Sequence, residues 1–323
     1  MPSPKEQLFN MKIYAPNYYF DFKCIADKCT HSCCVGWDVY IDDETQKKYI
    51  SLDGEIGERA RKALCEKDDG VCFAMQENGN CPVLNERGLC DIILQKGEDY
   101  ISEICHEHPR FYNFFSDRVE TGLGLSCEEA ARVILGQKKP ALLEVIDEDG
   151  EPEDMLWEDE ANILEKRDKL LSIVHRENLS LEETVAQVLA AANSKLPQKT
   201  YGEWAKILSS LERLDKEWDS LLTSLADCED ATTSDIGLEY AFKNLLSYFI
   251  YRHVSAADKD TIAATAAFAC LSVRIIEGIC ATEIKRHGSC SFDFLCNTAR
   301  LYSAEIEYSE ENTQKLIEFY FRS

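Results

Sequence analysis

The chain has 323 residues, 45% hydrophobic and 29% charged, with 35 basic against 59 acidic side chains and a formal net charge of −24. That length and apolar content describe a soluble globular chain with one large core or two ordinary ones. The negative field repels phosphate backbones and argues against nucleic acid as the main partner. The same charge suits a basic substrate, although a well-solvated acidic surface accounts for it as well. The N-terminus, Met-Pro-Ser-Pro-Lys-Glu, shows no basic segment leading into an apolar run, so no secretory leader is expected. The longest apolar stretch, Ile262 to Ile276, carries Thr265, Ser272 and Arg274 and reads as too short to cross a bilayer, so no membrane partner is expected.

Residues 1–140 read as compact, loop-rich and mixed. Trp37 to Asp42 alternates apolar and polar side chains, the pattern of a half-buried strand. A helix is expected over Glu44 to Glu66, with an interruption near Asp53-Gly54. Asn78-Gly79, after the apolar run Val71 to Met75, predicts a turn between two short strands. Ser126-Cys127-Glu128-Glu129 matches a capping box, with Ser126 as cap and Glu129 reaching back, at the start of a helix through Ala130, Val133, Ile134 and Leu135. Residues 144–160 hold ten acidic residues, no basic one and the turn sequence Asp149-Gly150-Glu151-Pro152. They mark a linker or an acidic hairpin.

The remainder reads as helical. Trp204, Ile207, Leu208, Leu211, Leu214, Trp218, Leu221, Leu222 and Leu225 recur at helical spacing, and Leu238 to Ile250 repeats the pattern. Ile262 to Ile279 is apolar nearly all round, as in the central helix of a bundle. Leu316, Phe319 and Tyr320 predict a short C-terminal helix. The fold class is therefore mainly α: a cysteine-rich N-terminal region with a few short strands (1–140), an acidic connection (141–160), and an α-helical bundle (161–323).

Fifteen cysteines are the most informative feature, ten of them within residues 1–127 and five in the remaining 196. Their odd number, the chain's size and the lack of a leader argue against a disulfide framework, and clustered thiols in a reducing compartment more often hold metal. Eight fall into groups: Cys24, Cys29, Cys33 and Cys34; Cys81 and Cys90; Cys105; and Cys127. Close spacing on loops gathers soft ligands at little cost in chain entropy. Cys33 and Cys34, being adjacent, point to opposite faces if extended, so one ligates while the other packs or serves another role. Cys127, at a helix start, is favoured as a thiolate by the macrodipole. Cys65, Cys72, Cys228, Cys270, Cys280, Cys290 and Cys296 stand apart, Cys270 and Cys280 within an apolar helix. Spacing alone leaves zinc and a 4Fe–4S cluster evenly matched.

Ordered motifs carry the reading further. Tyr18, Phe22 and Cys24, then Cys29, Cys33-Cys34-x-Gly36-Trp37 and Ile41-Asp42, resemble the opening of the flagellin lysine-N-methylase family. Cys81-Pro-Val-Leu, Gly88-Leu89-Cys90-Asp91, Cys105-x-x-His108-Pro109-Arg110 and Leu125-Ser126-Cys127-x-x-Ala130-Ala131-Arg132 continue it in order, over about residues 14–136. The helical remainder is compatible with that family but shows no motif of its own. The x4 and x3 gaps of the first group differ from the C-x2-C-x2-C-C core of a wider group of cysteine-rich zinc- or iron-chelating proteins.

The resemblance implies a bacterial cytoplasmic enzyme that moves methyl groups from S-adenosylmethionine to lysine ε-amino groups of flagellin. It also implies an iron–sulfur cluster held among Cys24, Cys29, Cys33, Cys34, Cys81, Cys90, Cys105 and Cys127. Such a reaction needs a neutral amine, and lysine has a pKa near ~10.4. His106, His108, Tyr112 and Asp42 are nearby groups able to assist, and Arg110 is able to pair with a carboxylate or to tie two loops together. No Gly-rich strand–turn–helix of a nucleotide-binding methyltransferase is present; Gly122-Leu-Gly124 is too sparse. A non-catalytic zinc- or iron-binding module and an electron-transfer or iron-handling protein are the alternatives.

Overall fold

The computed structural model of the chain describes residues 11–36, 39–67, 70–147, 155–229, 237–256, 258 and 260–321. In chain order, β1 (Lys12–Pro16) is followed by α1 (Asp43–Ser51), α2 (Glu55–Ala63), β2 (Leu64–Lys67), β3 (Gly70–Phe73), α3 (Asp91–Lys96) and α4 (Glu103–Glu107). Next come β4 (Arg110–Phe114), β5 (Arg118–Leu123), α5 (Glu128–Leu135) and β6 (Leu143–Asp147). The rest is helical: α6 (Glu158–Val174), α7 (Leu181–Ala191), α8 (Tyr201–Ser209), α9 (Lys216–Ala226), α10 (Glu239–Phe249), α11 (Ile262–His287), α12 (Phe292–Tyr302) and α13 (Glu310–Phe321). The mainly α class with a few short strands is thus what the chain adopts.

The chain divides into two compact units, Lys23–Arg110 on one hand and Met1–Phe22 with Phe111–Ser323 on the other. The acidic stretch does not coincide with this division. Its first part is β6, a strand of the larger unit, its last part opens α6, and residues 148–154 lie outside the described residues.

In the larger unit a four-stranded sheet runs in the order β4-β5-β1-β6. β1 is parallel to β5, with Ile13 opposite Val119, and antiparallel to β6, with Ala15 opposite Glu144. A parallel pair needs a long crossover, and here the connection carries the whole of residues 23–110. The helices enclose one apolar core in which Phe242, Phe249, Leu245, Ile275, Ile276 and Ile279 are fully buried. Each such side chain contributes about 1.5–3 kcal/mol relative to exposure.

At the centre is α11, 26 residues long and buried over most of its length. By length and composition this helix is apolar enough to cross a membrane, which corrects the reading of Ile262–Ile276 as too short. The helix runs past that stretch to His287, Arg274 pairs with Glu277 at 2.8 Å, and most of the apolar window is covered by protein. The single apolar face read from Trp204 to Leu225 is two helices, because Leu211–Asp215 breaks the run and Asp215 caps α9 through the N–H of Glu217 at 2.9 Å.

The expected capping box at Ser126 does not form. Cys127 is the N-cap of α5 and makes no side-chain cap bond. Arg132 draws Glu128 (2.9 Å) and Glu129 (3.6 Å) along the helix instead of leaving Glu129 to reach back. Reciprocal capping boxes occur at Ser180/Glu183 and Thr200/Glu203.

In the smaller unit the helix expected over Glu44–Glu66 is two helices, and Leu64–Lys67 leaves the second as a strand. Gly54, at φ +89, makes the break near the predicted Asp53-Gly54. Asp42 caps α1 by accepting from Thr45 N–H at 2.9 Å. Trp37 and Asp38 of the expected strand lie outside the described residues, and Val39–Ile41 makes a short ladder against β3 through Ile41 N–H to Val71 (2.8 Å) and Phe73 N–H to Val39 (3.0 Å). The Asn78-Gly79 turn forms, with Gly79 at φ +81 donating to Gln76 at 2.8 Å, but it does not join two strands: β3 pairs back to β2, and Asn80 after the turn makes a single bridge to Val35. Tyr49, Ile56, Ala60, Phe73, Val83 and Ile92 make a core separate from that of the helices.

A candidate thiol centre and a buried polar network

Within Lys23–Arg110 five of the predicted ligands, Cys33, Cys34, Cys81, Cys90 and Cys105, lie in one neighbourhood without their sulfurs closing on a common point. Cys81 is a member of the small core, and Cys34, Cys90 and Cys105 pack against it. Cys81 N–H donates to the Cys34 carbonyl at 2.8 Å, which joins the first cysteine group to the second. Cys105 lies close enough to Cys81, Cys90 and Cys33 that ionisation of any of them would disfavour its own. Cys24 is exposed and Cys29 half-buried, both upstream in the same unit. Cys127 belongs to the larger unit, as the N-cap of α5, packed against the helical core.

The loop between Cys81 and Cys90 is shaped by Arg59, a residue the sequence reading did not single out. From α2 its guanidinium donates to the Pro82 carbonyl (2.7 Å), the Leu84 carbonyl (2.9 Å) and Asp91 Oδ2 (2.8 Å). The other oxygen of Asp91 accepts from Asn85 Nδ2 at 2.9 Å, and Asn85 N–H closes the loop on the Leu89 carbonyl at 2.9 Å. The one sequence signal for this was an arginine on the helix preceding the loop, too common a feature to stand out.

The thiols divide by their protonation. The Cys34 thiol donates to the Cys33 sulfur, which lowers the pKa of Cys33 and raises that of Cys34. Burial raises Cys81 and Cys90, opposed by the nearby Arg59 charge. Burial pushes Cys105 up to about 12. Neutral thiols are what a desolvated cluster holds when no cation balances it; a bound cation would displace those protons. The donor set therefore fits a thiophilic metal or cluster in its chemistry: sulfurs from three chain segments backed by one core. Among the described residues no three His, Cys, Asp or Glu side chains converge closely enough to hold a metal ion.

The expected helpers are accounted for differently. For Asp42, burial opposes ionisation, but the N–H groups of Glu103 and Thr45 outweigh it and hold the carboxyl below its usual range. Asp42 is thus a clamp between α1 and the start of α4. His108 is lowered to about 4, by burial and then by the Arg110 charge, and is neutral near pH 7. Arg110 donates to the His106 carbonyl at 3.2 Å, a loop tie. His106 is exposed, and Tyr112 lies on β4, within the larger unit.

The larger unit holds buried polar groups that periodicity did not reveal. Two single π turns, Ile250–Val254 and Ser303–Glu307, continue α10 and α12, and such turns place side chains that a regular helix would not. Glu307, fully buried, accepts from His253 Nε2 at 2.6 Å and from Tyr248 Oη at 3.2 Å, and Arg252 lies 3.6 Å away. Burial opposes its ionisation, yet Arg252 and His253 keep its pKa low. Arg167 pairs with Glu120 and donates to Ser255 Oγ at 2.9 Å, all three buried. Beside the first network is a cleft lined by Pro16, Tyr18, His175, Asn244, Tyr248 and Tyr251. The Nε2 atom of His175 is buried there without a hydrogen-bond partner.

Comparison with known proteins places the helical unit. Residues 122–322 match the family described as FliB lysine N-methylase C-terminal domain. The Flagellar biosynthetic protein FliU of Salmonella muenchen is 32% identical over 126 residues, 37% of this chain and 75% of that protein. The Lysine-N-methylase of Salmonella choleraesuis (strain SC-B67) is 32% identical over 126 residues, 37% of this chain, so that the match spans only 31% of that protein's length. No solved structure matches the chain. The match takes in the Leu125–Arg132 motif and the whole helical remainder that carried no motif of its own, and this chain belongs to the FliB lysine N-methylase family.

Proposed function

We propose that this protein transfers methyl groups from S-adenosylmethionine to lysine ε-amino groups of a flagellar protein, flagellin, in the cytoplasm. The observation that carries this reading is the family match across residues 122–322. The names of the two relatives, one a lysine-N-methylase and one a flagellar biosynthetic protein, agree with it. The acceptor lysine must reach the donor as a free amine, and burial lowers a lysine pKa in the required direction. The chain's net charge of −24 favours approach of a lysine-bearing surface.

An iron–sulfur cluster is part of the proposal. Cys81, Cys90 and Cys105, with Cys33 or Cys34, are the residues to hold it, because Cys81, Cys90, Cys105 and Cys34 pack around one small core and Cys33 adjoins them. When bound, such a cluster supplies an iron site or an electron to the methyl donor. Arg59 holds the Cys81–Cys90 loop, and the pairing of Cys33 with Cys34 provides one sulfur ready to lose its proton. A structural zinc ion in the same thiols is the second reading, favoured by the small size of that unit's own core.

The test is incubation of the full chain, purified anaerobically, with S-adenosylmethionine and flagellin, followed by intact and peptide mass measurement. Lysines gaining mass in steps of one methyl group are expected, and a flagellin of unchanged mass under reducing conditions overturns the activity. Separately, iron and sulfide in the purified protein, lost on Cys81→Ser or Cys105→Ser, are expected. Stoichiometric zinc in a colourless protein overturns the cluster.

A further inference from the structure

Two cysteines outside the candidate ligands face each other across the β2–β3 hairpin. The strands are antiparallel with Leu64 opposite Phe73, Cys65 opposite Cys72 and Glu66 opposite Val71. Ala74 N–H donates to the Ala63 carbonyl at 2.7 Å, two places along the same register. Bonded and non-bonded pairs alternate along an antiparallel ladder, so Cys65 and Cys72 also form a bonded pair, with Cα atoms about 5.5 Å apart. That separation lies within the span a disulfide bridges. The two sulfurs are 3.3 Å apart.

The pair is held rather than merely close. On the far edge of β3, Val39 and Ile41 bond to Phe73 and Val71, so Cys72 sits in an inner strand. Cys72 is fully buried and Cys65 half-buried, so Cys65 is the more accessible member of the pair. A partly accessible thiol beside a buried resolving thiol is the arrangement of oxidation-sensitive cysteine pairs.

We propose that Cys65 and Cys72 are a thiol–disulfide pair, closed by a hydroperoxide and reopened by a thiol reductant, independently of the methyl-transfer reading. The Cys65 sulfur attacks one oxygen of hydrogen peroxide, the O–O bond breaks, and the thiol proton leaves with the departing hydroxide as water. The product is a sulfenic acid on Cys65. The Cys72 sulfur then attacks the Cys65 sulfur, the S–O bond breaks, and the hydroxyl leaves with the Cys72 proton as a second water. Two thiols have lost two electrons and two protons, and the peroxide has been reduced to two waters.

The experiment uses the full chain, reduced, desalted without oxygen, and exposed to a small molar excess of hydrogen peroxide before alkylation and peptide mapping. A linked peptide pair containing Cys65 and Cys72 is expected, lighter by two hydrogens than its parts and absent after dithiothreitol. Cys65→Ser should abolish the link. Cys72→Ser should stop oxidation at Cys65 at the sulfenic acid, captured by dimedone. Complete alkylation of both cysteines while other thiols oxidise overturns the proposal, as does a link from Cys65 to any other cysteine. Should either variant fail to fold by circular dichroism, the map of the unchanged chain decides alone.

Discussion

Lys23–Arg110 and the helical unit hold their shape by different means. The helical unit relies on extensive burial: its centre is a helix apolar nearly all round, and its polar groups are sealed in as pairs such as Arg167–Glu120 and Glu307–His253. The smaller unit has short elements, one modest core and a loop fixed by a single guanidinium, with thiols packed where a larger domain would place more leucine. The lesson is about where information lies. In the smaller unit a few side chains of special chemistry specify the arrangement, whereas in the helical unit specification is spread over dozens of ordinary apolar residues.

This contrast can be broken by substitution. The largest effect is expected in the helical unit from Arg167→Met, which leaves the Glu120 carboxylate buried without its partner and should cost about 3–5 kcal/mol in chemical denaturation. Next is a pH effect in the smaller unit. His108 has its pKa lowered from 6.5 to about 4, so the folded form binds its proton less readily than the unfolded chain. The stability this provides is complete above pH 6.5 and is lost as pH falls from there towards 4, by up to about 3 kcal/mol. His108→Gln should flatten that part of the profile, and an unchanged slope would show that other groups produce it.

Smaller again is Arg59→Met. Losing the charged donor to two carbonyls and to Asp91 should cost about 2 kcal/mol. Hydrogen exchange should show faster amides in residues 81–91 while α11 keeps its protection; faster exchange throughout would mean the two units are not independent. The smallest expected loss, about 1 kcal/mol, follows Ser180→Ala, which removes the cap of α7 and should be read as a lowered melting temperature.

The sequence made much of this legible, and for identifiable reasons. Helical faces such as Leu238–Ile250 were plain because burial imposes a 3.6-residue period, and Gly54 and Gly79 stood out because their backbone angles favour glycine. The cysteine groups were legible as chemistry. What stayed hidden was set by competition between equally good local choices. Glu129 was free to cap or to pair with Arg132, and it paired. Glu66 fitted a helix pattern but lies in a strand, because a partner strand follows it. Arg59, Arg252 and Glu307 meet their partners only through tertiary folding, and no spacing announces them.

The sheet has a consequence for how the molecule is made. β1 pairs with β5 on one side and β6 on the other, and its partner Arg118 follows Lys12 by about a hundred residues. At ~5–20 residues per second of synthesis, β1 emerges on the order of ten seconds before either neighbour exists. Residues 23–110 are complete by then. The order of assembly on the ribosome therefore departs from the order of the chain: the inserted thiol-bearing unit can finish before the opening strand meets its partners. During that interval both edges of β1 are open to other chains.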